Sequence, residues 1–150
     1  MTEITVAVKR VNHGTDLPLP SYATAFSAGA DLLAAIDTPV LITPGARSVI
    51  PTGVAIQIPV GYEAQVRPRS GLAAKSGITL LNSPGTIDAD FRGEISVILV
   101  NHGDEAFTVE RGVRIAQIIF APISVVIWQE VSELSHTSRG IGGFGSTGIE

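Results

Sequence analysis

Alternation is the feature that most restricts what this chain can fold into. Over most of its length apolar and polar residues exchange places with a period of two, and the runs are rich in β-branched side chains. Residues 4–8, 49–58, 63–67, 94–100, 107–109, 114–120 and 125–131 each read as a half-buried strand. Turn signals fall between them at Pro44-Gly45, Pro59-Val60-Gly61, Ser83-Pro84-Gly85 and His102-Gly103-Asp104. One stretch alone favours a helix, 70–76, with Ser70 as N-cap and Gly77 as stop. Many short strands at regular spacing predict an all-β sandwich, barrel or jelly roll.

With 150 residues the chain is long enough for one domain with a real core. It has no cysteine, so disulfides and thiolate metal sites are ruled out. No charged segment followed by an apolar one opens the sequence, which predicts a cytoplasmic protein without a signal peptide. The longest apolar run, 115–128, is broken by Gln117 and Pro122 and is too short for a bilayer, so no membrane partner is expected. A net charge of -4 argues against nucleic acid as a partner. Among the basic residues only Lys9 and Lys75 are lysine and the rest are arginine, the side chain suited to bidentate phosphate contacts.

Five segments carry candidate chemistry. At the end of the sequence, 139–150 (RGIGGFGSTGIE) joins Arg139, Phe144, Ser146 and Thr147 with glycines. Such a backbone can wrap its N–H groups around an anion while Phe144 covers a base, or it is simply a flexible tail. It lacks the lysine and following helix of a Walker A loop. Within 82–94 (NSPGTIDADFRGE), a hairpin pairing 78–81 with 86–88 would offer free backbone groups to a pyrimidine edge. Asp88 and Asp90 beside it are either a catalytic carboxylate with a partner or turn chemistry. Arg69 and Ser70 stand at the start of the short helix, as a phosphate site or as ordinary capping. Gln117 is a polar amide in an apolar strand, satisfied in the core or holding a water. Asp31 lies among small residues in Ala-Gly-Ala-Asp-Leu, where a bulky ligand could approach, or holds a turn.

The order AGADL, PRSGLA, GTIDADFRGE, RIAQ and RGIGGFGSTG resembles the five motifs of the trimeric dUTP pyrophosphatases (dUTPases), from about Ala28 to Gly148. The resemblance implies a jelly-roll-like distorted β-barrel over 1–138 and a flexible Gly-rich arm over 139–150 that closes on an active site. It implies a homotrimer with sites at subunit interfaces, hydrolysis of dUTP to dUMP and pyrophosphate, and Mg²⁺ as cofactor. Such an enzyme limits uracil in DNA and supplies dUMP for dTMP synthesis. Asp88 matches the general base that activates water, and Gln117 the amide near the α-phosphate. Arg69, Ser70 and Gly71 match a phosphate-contacting segment from a neighbouring subunit, and Asn82, Gly85, Thr86 and Ile87 the uracil-reading segment. Phe91 stands where many members carry tyrosine against the deoxyribose. Arg139 matches the γ-phosphate arginine, with Gly145, Ser146 and Thr147 beside it, and Phe144 the ring over uracil. Asp31 matches a carboxylate near waters of the metal, not a direct ligand. Two other readings compete: a dCTP deaminase-like enzyme, and a non-catalytic nucleotide-binding trimer.

Overall fold

Alternation resolves into three antiparallel sheets in the computed structural model, which describes residues 3–144 and 146. In chain order the elements are β1 (Ala7–Arg10), a 3-10 turn (Asn12–Gly14), β2 (Ser21–Tyr22), β3 (Ala30–Leu33), β4 (Val40–Ile42), β5 (Arg47–Gln57), β6 (Tyr62–Arg67), α1 (Ser70–Ser76), β7 (Ile78–Leu80), β8 (Gly85–Ile87), β9 (Glu94–Asn101), β10 (Phe107–Val109) and β11 (Arg114–Pro122). The order β1-β5-β9-β7 makes one sheet, β2-β3-β11-β6-β8 another, and β10-β4 a small third. The fold is all-β with one short helix, as expected.

Parity explains the core. Ala64 and Val66 of β6 point inward with Ile118 of β11 and Leu32 of β3, while Ile95, Val97 and Leu99 of β9 and Ile50 of β5 meet them from the other sheet. The alternate residues, Glu63, Gln65 and Arg67 on β6, therefore lie outside the core, and they bond to one another along the strand: Gln65 Nε2 donates to Glu63 Oε1 at 2.6 Å and Arg67 Nη2 to Gln65 Oε1 at 2.6 Å.

Four local expectations need correction. The first strand starts at Ala7 and not at Ile4. Arg69, not Ser70, is the N-cap of α1, and no side-chain cap bond forms; Gly77 does stop the helix, at φ 65° with its N–H on Ala73 O and Leu72 O. The expected hairpin of 78–81 with 86–88 is absent, because β7 pairs with β9 and β8 pairs with β6, so the Asn82–Pro84 connection passes from one sheet to the other. Residues 125–131 have strand composition but no ladder partner. They belong to an exposed stretch that leaves the barrel after Pro122, with Ile127 92% and Trp128 90% exposed. No helix among the described residues is long and apolar enough to cross a membrane.

Candidate active site

Two clusters stand apart, one on the outer face of the five-stranded sheet and one at its β8 edge. The first is cationic. Gln117 on β11 is paired with Asp31 on β3 and with Arg67 on β6, so the three side chains share one row and one face. Arg114 joins them only because β11 bulges at Ile115. Residues three apart on a regular strand face opposite ways, but the register shift between Arg114 and Ala116 restores the common face. Asp31 then ties two arginines together, Arg69 Nε at 3.0 Å from Oδ1 and Arg114 Nη1 at 3.2 Å from Oδ2. Arg69 also donates to Arg114 O at 3.3 Å. Three guanidinium groups against one carboxylate leave a positive site on an acidic chain, suited to a polyanion.

Gln117 is half-buried and its Nε2 donates to Pro68 O at 2.9 Å. This bond links the strand to the turn that carries Arg69 into α1. Ser70 and Gly71 follow at the exposed start of the helix, and a Cβ added at Gly71 would meet nothing within 4 Å. The space beside Asp31 has an occupant other than the one expected. A Cβ at Gly29 would collide with Gln117 Oε1 and stand 3.1 Å from its Cδ, so the small residue makes room for the protein's own amide.

The second cluster is a cleft at the seam of the two large sheets, where the edge strand β8 lies alongside β9. A cavity of about 270 Å³ is lined by Thr86, Ile87, Asp88 and Phe91 together with Glu94, Ile95 and Ser96. A narrower pocket of about 60 Å³ continues from it past Gly85 to Asn82. As an edge strand β8 leaves part of its backbone unpaired, so a planar ligand with donor and acceptor groups could add there as another strand would. Asp88 is exposed at the mouth, and its carbonyl accepts the Phe91 N–H at 3.2 Å to close the turn. Phe91 is 43% exposed and its ring lies over Gly93, where an added Cβ would come within 2.6 Å of the ring. Asp90 is exposed on the same turn.

Within one chain the two clusters cannot act on the same atom. Gln117 is level with Arg67, and Ile87 is level with Ala64, with Asp88 one residue beyond. Four residues along the strand and two strand spacings across put the Asp88 and Gln117 Cα atoms roughly 16 Å apart. A water within hydrogen-bond reach of Asp88 is out of reach of that Gln117, whose amide is turned toward Pro68. Among the described residues of the Gly-rich segment, Arg139 and Phe144 are exposed, and Arg139 Nε donates to Gly142 O at 2.9 Å inside its own turn. Ser146 is exposed on the same arm, and Gly145 and Thr147 lie outside the described residues.

The sequence reading passed over Arg114 and Gly93. Arg114 was hidden by its odd spacing from Gln117, which points away unless a bulge intervenes. Gly93 could have been found as the small residue two places after an aromatic in a tight turn.

Comparison with known proteins places the chain. The sequence model of the dUTPase family matches residues 15–148. The dUTPase of Staphylococcus bacteriophage 80alpha, solved with dUPNHPP, is 28% identical with a TM-score of 0.86, covering 97% of this chain and 99% of that one. A point mutant of the same phage enzyme, solved with dUpNHpp, is 27% identical at the same TM-score and coverage. A mutant dUTPase from phage phi11 of S. aureus, 23% identical with a TM-score of 0.76 over 87% of this chain and 98% of that one, shares the fold; its structure describes the coordination of a structural Mg(II) ion.

Proposed function

The chain belongs to the dUTPase family and is a dUTP diphosphatase, cleaving dUTP to dUMP and pyrophosphate, and from that premise we propose how its own residues divide the work. Asp88 is the general base. Its carboxylate stands at the mouth of the cleft, where it can take a proton from a water aimed at the α-phosphorus. The free edge of β8, from Gly85 to Ile87, reads uracil with Asn82 behind it. Phe91 lies flat against the deoxyribose and leaves no room for a 2′-hydroxyl. Gln117 orients the attacking water and α-phosphate, while Arg69, Ser70 and Gly71 bind the phosphate chain.

One observation carries this reading: the strand register puts Asp88 and Gln117 four residues and two strands apart on one chain, a Cα separation of roughly 16 Å. A working site therefore takes Asp88 from one copy and Gln117 with Arg69 from another. The exposed apolar stretch beyond Pro122, including Val125, Ile127 and Trp128, supports such an assembly, because apolar surface of this kind is normally covered. The assembly is a homotrimer, and its copies close segment 139–150 over the neighbouring site. There Arg139 meets the γ-phosphate, Phe144 covers the uracil, and Gly145, Ser146 and Thr147 add phosphate contacts.

Magnesium fits this chain as a substrate-borne ion. No group of three or more His, Asp or Glu among the described residues could hold a metal. Both oxygens of Asp31 are engaged by arginines, so Asp31 reaches the ion only through water. When bound to the phosphates, the ion offsets their charge. The protein works in the cytoplasm, keeping dUTP from DNA synthesis and supplying dUMP for dTMP.

Pyrophosphate release from dUTP, dTTP, dCTP and UTP, with Asp88→Asn as control, tests the reading. Turnover confined to dUTP and abolished by the control is the expected result. Ammonia release from dCTP would favour the deaminase instead, and turnover retained by the control would remove Asp88 from its role.

A further inference from the structure

We infer that His13 is a positioning residue for the turn that carries Asp88 and Phe91, acting through Glu94. This rests on the roles given to those two residues above. Glu94 opens β9 directly after that turn and lines the cavity that Asp88 and Phe91 share. Its carboxylate reaches an irregularity in β5. Between Pro51, paired with Ser96, and Ala55, paired with Glu94, β5 spends two more residues than β9 does. The extra chain bulges at Thr52, Gly53 and Val54, which lose their pairing with β9 while Val54 still pairs with Arg10 of β1.

Three polar groups of that bulge find partners outside the β5–β9 ladder. Gly53 N–H donates to Glu94 Oε1 at 2.7 Å, Gly53 O accepts from Val11 N–H at 2.8 Å, and the buried Thr52 hydroxyl donates to Ile95 O at 2.7 Å. His13 completes the set from the 3-10 turn, with Nε2 2.7 Å from the same Glu94 oxygen. The approach is possible because two glycines meet. A Cβ on Gly53 would stand 2.7 Å from Gly14 Cα, and Gly53 itself has φ 72°. Arg111 fixes the turn from the far side, donating to His13 O at 2.6 Å and to the Asp16 carboxylate.

The consequence reaches the site through register. Glu94 is the last ladder residue before Gly93, and the Phe91 ring lies in the space a Cβ on Gly93 would fill. The turn is held at its other end by β8, through the pairing of Ile87 with Ala64. Its inner bonds are few: Phe91 N–H on Asp88 O, and Arg92 Nη1 on the Ala89 and Phe91 carbonyls. With Glu94 unclamped, the bulge and the first residue of β9 are free to shift. Ring and carboxylate then move together, and a displacement near 1 Å is enough to cost about 100-fold in rate.

The test measures kcat, KM and Tm for dUTP hydrolysis in His13→Ala, His13→Gln, Glu94→Ala and Glu94→Gln. His13→Ala should lower kcat by about 10-fold with a smaller change in KM, and Glu94→Ala should lower it further. His13→Gln restores a donor and Glu94→Gln keeps the acceptor, so both should recover most of the loss. A purely structural pair would lower Tm and leave kcat at a temperature well below it untouched. Normal kcat in His13→Ala overturns the inference, and that variant should fold, since the side chain is half-exposed on a turn. Parent and Asp88→Asn are run beside it. An active Asp88→Asn condemns the site reading, whereas an inactive one beside a normal His13→Ala condemns this inference alone.

Discussion

Replacing Gly29 by alanine adds one methyl group and is predicted to disable an amide on β11, the strand that pairs with β3. The new Cβ falls on Gln117 Oε1 and lies 3.1 Å and 3.2 Å from its Cδ and Cβ. Gly29 is outside the left-handed region, so backbone strain does not enter and the collision is with the side chain alone. Gln117 must leave its rotamer, at about 1 kcal/mol, and gives up its bond to Pro68 O, worth about 1 kcal/mol net. The sum of about 2 kcal/mol corresponds to a Tm lower by about 4–8 °C in a chain of this size. The loss of activity should be larger, about 100-fold in kcat, because the amide no longer points where the α-phosphate is to sit. Calorimetry and pyrophosphate release read the two quantities. A double-mutant cycle with Gln117→Ala isolates the cause: once the amide is gone, Gly29→Ala should be almost neutral, giving a coupling of about 1–2 kcal/mol. Strict additivity, or wild-type kcat in Gly29→Ala, would refute the reasoning.

Asp88→Asn should stay folded and bind nucleotide while turnover falls by about 10²–10⁴, measured by pyrophosphate release. Phe91→Ala should narrow the kcat/KM preference for dUTP over UTP, and an unchanged ratio removes the ring from sugar selection. Mixing subunits lacking 139–150 with Asp88→Asn subunits should recover activity in mixed trimers seen by native mass spectrometry, whereas no recovery would overturn the shared site. At the N-terminal turn, the hydrogen bond from Arg111 holds the Asp16 carboxyl below the usual carboxylate range. A carboxylate depressed by folding contributes stability above its unfolded value, about 3.9, and loses it as pH falls toward the folded one. Tm of Asp16→Asn should therefore lie below the parent at neutral pH and converge with it in acid.

How much of this was legible depends on what each feature rests upon. Strands β6, β9 and β11 were readable because alternation alone sets which side faces the core, as Ala64 and Val66 show against Glu63, Gln65 and Arg67. Residues 125–131 carry the same composition and form no strand, since pairing needs a partner that their own chain does not offer. The false hairpin has a related cause. Proximity in sequence suggested that 78–81 would pair with 86–88, but the ladder partner of a short strand is chosen by the whole sheet stack. At the candidate site, the motifs singled out Asp31, Arg69 and Gln117 separately, and the fold does bring these three together. Arg114 was invisible because a one-residue bulge at Ile115 reverses the parity by which strands are read. Glu94 and His13 were invisible because their meeting depends on a close approach of Gly14 and Gly53, distant in the sequence.

The bare segment beyond Pro122 also holds the only tryptophan of the chain, Trp128, 90% exposed. An indole in water emits at longer wavelength than one packed against protein, so the native chain carries its own reporter of whether that segment is covered. Emission should shift to shorter wavelength as copies associate, and diluting the protein should return it along a mass-action curve. The same titration followed by turnover would show whether coverage of Trp128 and completion of the site occur at one concentration. A label would be unnecessary, because the fluorophore is already placed on the segment in question.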